Sequence, residues 1–329
     1  MPRVESGQSA LPRAKRPCWP PQGRLPLPRT ALRGALAAAG ACLPAGNAFA
    51  HAGHPHPPTL ATAFTPSAWL LLPLAAWALL YVLGLSRLWR RAGAGTGVSV
   101  GAVATAAAGV LVLLLSTTWP LDAYGEWSLA AHIAQHMLLL AFVPPMLLAG
   151  QPLAVAAHAL PSRLAGRLHG VLGTAAARAA NSLTAASVAH GAVLWAWHLP
   201  VATTAAIESD PVHWAMHGSF LAAGLWLWAA MWRRIRDPEV GAGAGIVAMV
   251  AVMMQMGFLG ALLTFSTRPL YPIYTARAPR LGLDAMADQQ LAGVLMWVPS
   301  CIPYLVGAMW LLSQGFARLG RRTRGSRDA

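Results

Sequence analysis

Charge is what this chain has least of. Asp, Glu, Lys and Arg together make up 10% of its 329 residues, against roughly a quarter in an ordinary soluble domain. With 56% hydrophobic residues and a mean hydropathy of +0.50, that scarcity points away from a water-soluble domain and towards a polytopic membrane protein. Cysteine is nearly absent too. Cys18, Cys42 and Cys301 form no C-x-x-C pair, so neither a disulfide framework nor thiol-based metal transfer is available. Acid is scarcer than base, which leaves a net charge of +14. The arginines lie in an N-terminal stretch, in short loops and in the tail Arg318–Arg327, as they do where a membrane protein sets its orientation. No nucleic-acid partner is expected.

Four regions follow. Residues 1–50 read as a leader with a signal peptide: a basic, Pro-rich stretch, the short apolar run Gly34–Leu43, then the small-x-small site Ala48-Phe49-Ala50. Cleavage after Ala50 would expose His51-Ala52-Gly53-His54-Pro55-His56. A lipoprotein with Cys42 as the acylated residue, or a start codon misplaced ahead of residue 29, are the other readings of this stretch. Residues 51–66 form a His/Pro-rich extracytoplasmic segment, either a metal-capturing tract or a polar linker. Residues 67–314 form the transmembrane bundle, and 315–329 an Arg-rich cytoplasmic tail.

The expected fold is an all-α, polytopic membrane helix bundle with about seven transmembrane helices, at 67–88, 98–118, 128–149, 183–202, 212–232, 243–266 and 288–314. Arg87, Arg90 and Arg91 follow the first; Arg163, Arg167 and Arg178 lie between the third and fourth. Arg233, Arg234 and Arg236 follow the fifth, and the tail follows the last. All four groups fall on one side, which the positive-inside rule makes cytoplasmic. That predicts a bacterial inner-membrane protein with its mature N-terminus outside and its C-terminus inside. Only the loop 267–287, with Arg268, Arg277 and Arg280, dissents. Trp119, Trp127 and Trp214 fall near outer boundaries, and Trp89 and Trp232 near inner ones. The segment 151–182, with His158 and His169, reads as a cytoplasmic loop carrying a surface-lying amphipathic piece.

Histidine in a membrane span is costly and needs a partner. His132/His136 and His213/His217 have identical i,i+4 spacing, which puts each pair on one helix face, about 6 Å apart along the axis. Both pairs lie in the first two turns of spans that start outside. His198 is near the outer end of the fourth span, and Asp288, Gln289 and Gln290 open the seventh. Five histidines and a carboxylate therefore share one layer near the extracytoplasmic surface. The bland alternative is a set of interhelical hydrogen bonds, worth about 0.6–2 kcal/mol each. His190 lies about 12 Å deeper than His198, where it reads as either a second ligand or a histidine bonded to a backbone carbonyl.

Imidazole suits Zn, Cu, Fe and Ni. Neither HxxxH has the Glu of an H-E-x-x-H protease, so zinc hydrolysis is not expected, and the chain reads as a non-catalytic protein. Met249, Met253 and Met256 share a helical stripe, with Met254 beside it; thioethers favour Cu(I), although such stripes usually fill cores. Bis-His haem, for instance on His136 and His217, would give a b-type membrane cytochrome. A copper transporter running past His190 and the methionines is a third reading. Pro144-Pro145 reads as a helix kink.

The run His132-Ile133-Ala134-Gln135-His136-Met137-Leu138-Leu139, continuing to Pro144-Pro145-Met146-Leu147 and Gly150-Gln151-Pro152, resembles the signature of the caa3-type cytochrome c oxidase assembly factors called CtaG. Trp197-His198-Leu199-Pro200, His213-Trp214-Ala215-Met216-His217 and Asp288-Gln289-Gln290-Leu291-Ala292-Gly293 with Met296-Trp297 are similar to later motifs of that family, in order, over about residues 60–315. The resemblance implies a factor needed to make a haem–copper oxidase active, with the oxidase subunits, a copper donor protein and the lipid bilayer as partners. Ligand chemistry adds the expectation of copper held by His132, His136, His198, His213 and His217, with Asp288 orienting a ligand or supplying counter-charge.

Overall fold

A computed structural model describes residues 56–237 and 241–325, which belong to one compact unit. The leader, His51 and His54 lie outside the described residues. Among the described residues the fold is all helix, with no strand.

Seven long helices correspond to the seven hydrophobic stretches: α1 Ala68–Ala92, α2 Val100–Thr117, α3 Leu129–Ala149, α4 Leu183–Trp197, α5 Asp210–Arg236, α6 Ala242–Phe265 and α7 Ala285–Ala317. Five of them (α1, α2, α3, α6 and α7) are long and apolar enough to cross a membrane. At 15 residues α4 is short for a bilayer. α5 has 27 residues, but its histidines, tryptophans and terminal arginines lower its hydropathy. The outward faces are what lipid requires: Trp69, Leu72 and Val82 on α1, and Val247, Met254, Phe258 and Leu262 on α6, are all exposed.

Prolines set the ends and the bends. α4 stops at Trp197, five residues before its expected end, because Leu199-Pro200 cannot continue it; a new helix, Pro200–Glu208, starts there. α7 starts at Ala285, breaks around Pro299 and resumes, and its helix continues to Gly325, so the first part of the tail is helical. In α3, Pro144 and Pro145 lack N–H donors, and the preceding turn Leu138–Phe142 opens to π-helical geometry. The Leu140 carbonyl, left without the Pro144 N–H, is approached by the Tyr304 hydroxyl at 3.4 Å.

α3 lies at the centre. α2, α5 and the first half of α7 pack on it, α4 joins α5 and α6, and α6 runs against α7. Small residues bring backbones together. At the α6–α7 crossing, a Cβ on Gly293 would meet the Gly260 carbonyl at 2.5 Å. α1 is peripheral and packs mainly on the helix Pro152–Ala157.

Two faces can be told apart. Arg87 at the end of α1 bonds the carbonyls of His158 and Ala159, and Arg234 at the end of α5 bonds that of Ala180. The arginine-bearing ends and the segment 151–182 thus meet on one face, with His158 exposed. On the other face, residues 60–65 dock through Trp119 Nε1 to the Leu60 carbonyl and Thr65 to Thr118 and Asp122. Two of the three dissenting arginines of 267–287 have structural partners here. Arg277 donates to the Glu126 carbonyl at 2.9 Å, and the guanidinium groups of Arg277 and Arg280 lie 5.9 and 4.9 Å from the centre of the Trp127 ring. Trp127, expected at the interface, is buried beneath them.

Candidate functional site

The sequence reading put five histidines and one carboxylate at one level, and the fold buries all six. The local reasons are plain. Ser128 caps α3 through the Ala131 N–H, which starts the helix one turn before His132. Pro211 at the start of α5 leaves His213 and His217 in its first two turns. His198 is the C-cap of α4, and its Nδ1 lies 2.6 Å from the Leu194 carbonyl.

The five imidazoles form one continuous cluster. Ring centres are 4.1 Å apart in both His132/His136 and His213/His217. Across helices, His136 is 5.8 Å from His198 and 6.0 Å from His217. Two imidazoles on one ion, with bonds of about 2 Å, have ring centres about 5–6 Å apart. The interhelical spacings are of that size. Phe220, one turn beyond His217 on α5, lies against His136 at 4.3 Å.

Hydrogen bonding separates a packing role from a ligand role. Neither ring nitrogen of His136 has a hydrogen-bond partner among the described residues, nor has Nε2 of His132 or of His198. All four atoms are buried, and leaving such a group unsatisfied costs about 1–3 kcal/mol each. A cluster retained for interhelical hydrogen bonds would have used them. At His198, Nδ1–H donation to Leu194 fixes the tautomer and leaves the Nε2 lone pair pointing into the cluster, as in metal-binding histidines.

Asp288, expected to orient a ligand or supply counter-charge, makes its contacts at the start of α3. Its Oδ1 accepts from Ser128 Oγ at 2.6 Å and from the Ala130 N–H at 3.3 Å, and its Oδ2 from the Leu129 N–H at 2.6 Å. Both oxygens serve the N-terminus of α3, where backbone donors and the helix dipole favour a carboxylate. Asp288 therefore acts by positioning His132 and His136.

The carboxylate that joins the histidines is Asp122, from the stretch between α2 and α3. Residues Leu121–Gly125 fold into a short buried helix against α3, and Gly125 lets it approach the His132 backbone. Asp122 Oδ1 is 3.1 Å from His213 Nε2, and ligand atoms of Asp122, His213 and His217 all lie within 4.8 Å of one another. Thr65 Oγ1 at 2.8 Å and Gln135 Nε2 at 2.9 Å hold the carboxylate in place. The one sequence signal for it was Gln135 inside the first HxxxH, a buried amide that needs polar partners.

A tyrosine pair roofs the layer. Tyr271 donates to the His198 carbonyl and Tyr274 to the Gly125 carbonyl, each at 2.7 Å. Burial pushes the Tyr274 hydroxyl well above its usual pKa, so it stays a donor. His190 stands apart: its Nε2 is 2.9 Å from the Tyr304 hydroxyl, not on a backbone carbonyl. Met249 and Met256 are fully buried, Met249 lies tight against Gly307, and Met254 is exposed. Met253, the third member of the stripe, is half-buried.

Fold and site together define a multi-pass membrane protein with a buried, roofed layer of imidazoles. Residues 79–318 match the family described as cytochrome c oxidase caa3 assembly factor, Caa3_CtaG, and the chain belongs to that family. It is also 29% identical, over 297 residues, to an uncharacterized protein of Mycobacterium bovis and to one of Mycobacterium tuberculosis. Those matches cover 83% of this chain and 43% of each relative, so the chain spans less than half their length. No solved structure matches it.

Proposed function

We propose that the protein is a non-catalytic assembly factor of the bacterial inner membrane. It holds Cu(I) in the imidazole layer and passes it by ligand exchange to a nascent haem–copper oxidase subunit. The reading rests above all on the buried, unpartnered nitrogens of His132, His136 and His198 on two different helices, in a chain of an oxidase assembly family. Imidazole accepts copper, as it does Zn, Fe and Ni, without sulfur, and membership of an oxidase assembly family favours copper among them. Copper is the cargo, and the residues' work is to bind and release it.

In this reading all seven long helices span the bilayer, with α4 lengthened by the helix that follows Pro200. The arginine-bearing face is cytoplasmic, and the histidine layer lies beneath the extracytoplasmic surface, where a copper donor protein would reach it. Packing favours copper over haem, because Phe220, His132 and His198 crowd the His136 ring and leave no slot for a macrocycle between His136 and His217.

The test is the double variant His132→Ala/His136→Ala, expressed in place of the natural protein. Losing two ligands should leave the chain inserted at its normal level and lower active oxidase by at least about tenfold, with less copper per haem in the oxidase purified from those membranes. Unchanged copper per haem would refute the proposal.

A further inference from the structure

We propose that the arginine-bearing end of α5 forms, with the helices beside it, a binding site for the headgroup of an anionic phospholipid. The inference is independent of the copper reading and needs only that the chain crosses a membrane.

The site is a cleft of about 290 Å³ between three elements. One wall is the turn from α3 into the helix Pro152–Ala157, with Leu148 and Leu153. The second is the helix Thr174–Asn181, with Ala176, and the third is the end of α5, with Trp232, Arg233 and Arg236. Gln151 turns the chain out of α3: its φ of 50° puts a non-glycine residue in the left-handed region.

Three arginines end α5, and they are not equivalent. Arg234 is buried, and its guanidinium donates to the carbonyls of Ala180 and Ala230. It holds helices together. Arg233 and Arg236 line the cleft instead, and among the described residues neither guanidinium has a hydrogen bond or an ion pair. Arg236 lies 5.6 Å from the centre of the Trp232 ring, and no Asp or Glu lines the cleft.

A guanidinium is a planar fork of N–H donors that fits phosphate oxygens two at a time. Two such groups without acceptors, on one cleft, call for an anion. Apart from Gln151, whose amide donates to the Gly97 carbonyl, the rest of the lining is apolar. That suits hydrocarbon rather than a free ion, so the ligand is an amphiphile, with its phosphate on the arginines and its acyl chains along Leu148 and Leu153. The level agrees, because a tryptophan ring favours the membrane–water boundary and Trp232 stands beside both arginines. Basic pockets between spans at that level bind anionic headgroups. A basic end that served only to orient the chain would need no cleft beside it.

The experiment is native mass spectrometry of the full chain, mixed in detergent with dioleoylphosphatidylglycerol or with dioleoylphosphatidylcholine. The parent should retain one phosphatidylglycerol in preference to phosphatidylcholine. Arg233→Gln/Arg236→Gln should weaken that retention by about tenfold or more, the weight of two arginines on an anionic headgroup. Ala176→Phe, which fills the cleft without changing charge, should also weaken it. Arg163→Gln/Arg167→Gln, on exposed arginines outside the cleft, should bind as the parent does. Equal retention of the two lipids, unchanged binding by either cleft variant, or an equal fall in all three variants overturns the proposal. The last result would leave only a general attraction between basic ends and an anionic surface. Displacement of the lipid by millimolar inorganic phosphate would make the ligand a free anion and overturn the lipid assignment. Each variant is checked for an unchanged unfolding transition; if the cleft arginine variant does not fold, Ala176→Phe and the lipid preference of the parent decide.

Discussion

Replacing Asp288 by Ala separates a ligand from a positioning group. Its carboxylate accepts two bonds of 2.6 Å, from Ser128 Oγ and the Leu129 N–H, and a longer one from the Ala130 N–H. Hydrogen bonds to a charged group are worth about 1.5–3 kcal/mol each. Ser128 would still cap the Ala131 N–H, so part of the α3 terminus survives the change. Two short charge-assisted bonds, less what Ser128 retains, put the expected loss at about 3 kcal/mol. The assay is equilibrium unfolding of the purified chain in detergent, followed by Cu(I) loading of the same preparation. Asp288→Ala should unfold more easily by that amount yet bind as many ions as the parent, with weaker affinity because His132 and His136 are held less firmly. A stability change below about 1 kcal/mol together with loss of copper would refute the reasoning and make Asp288 a ligand.

Two further outcomes follow from the packing. Gly293→Ala would drive a methyl group into the Thr264 hydroxyl and the Gly260 carbonyl, so it should destabilise the α6–α7 crossing by about 1–3 kcal/mol, seen as a lower thermal transition and reduced yield. Tyr304→Phe removes the partner of His190 and should cost about 1–2 kcal/mol while leaving copper stoichiometry and oxidase activity unchanged; a fall in oxidase copper would place His190 and Tyr304 on the copper route.

Much of this was legible in the sequence because helical spacing is local. His132/His136 and His213/His217 share a face whatever surrounds them, and counting residues from the span ends put them at one level. His198 and Pro200 marked the end of a helix, though the proline's effect on the span's length was underestimated. What was missed depends on chain segments distant in sequence. Asp122 becomes part of the site only because Leu121–Gly125 folds back onto α3. Asp288 reaches the start of α3 only because α7 presents the residue to another helix's N-terminus. Arg277 and Arg280 looked like exceptions to a charge rule until Trp127 and Glu126 supplied their partners. The His190–Tyr304 pair joins residues 114 apart in sequence, beyond the reach of any periodicity.

The most direct measurement is X-ray absorption at the copper edge on the chain loaded with Cu(I) and lacking the N-terminal histidine tract. Nitrogen or oxygen neighbours at about 2 Å, with the outer-shell scattering of imidazole and no sulfur shell, are the predicted result. Sulfur neighbours, or a chain that retains no copper to measure, would contradict it.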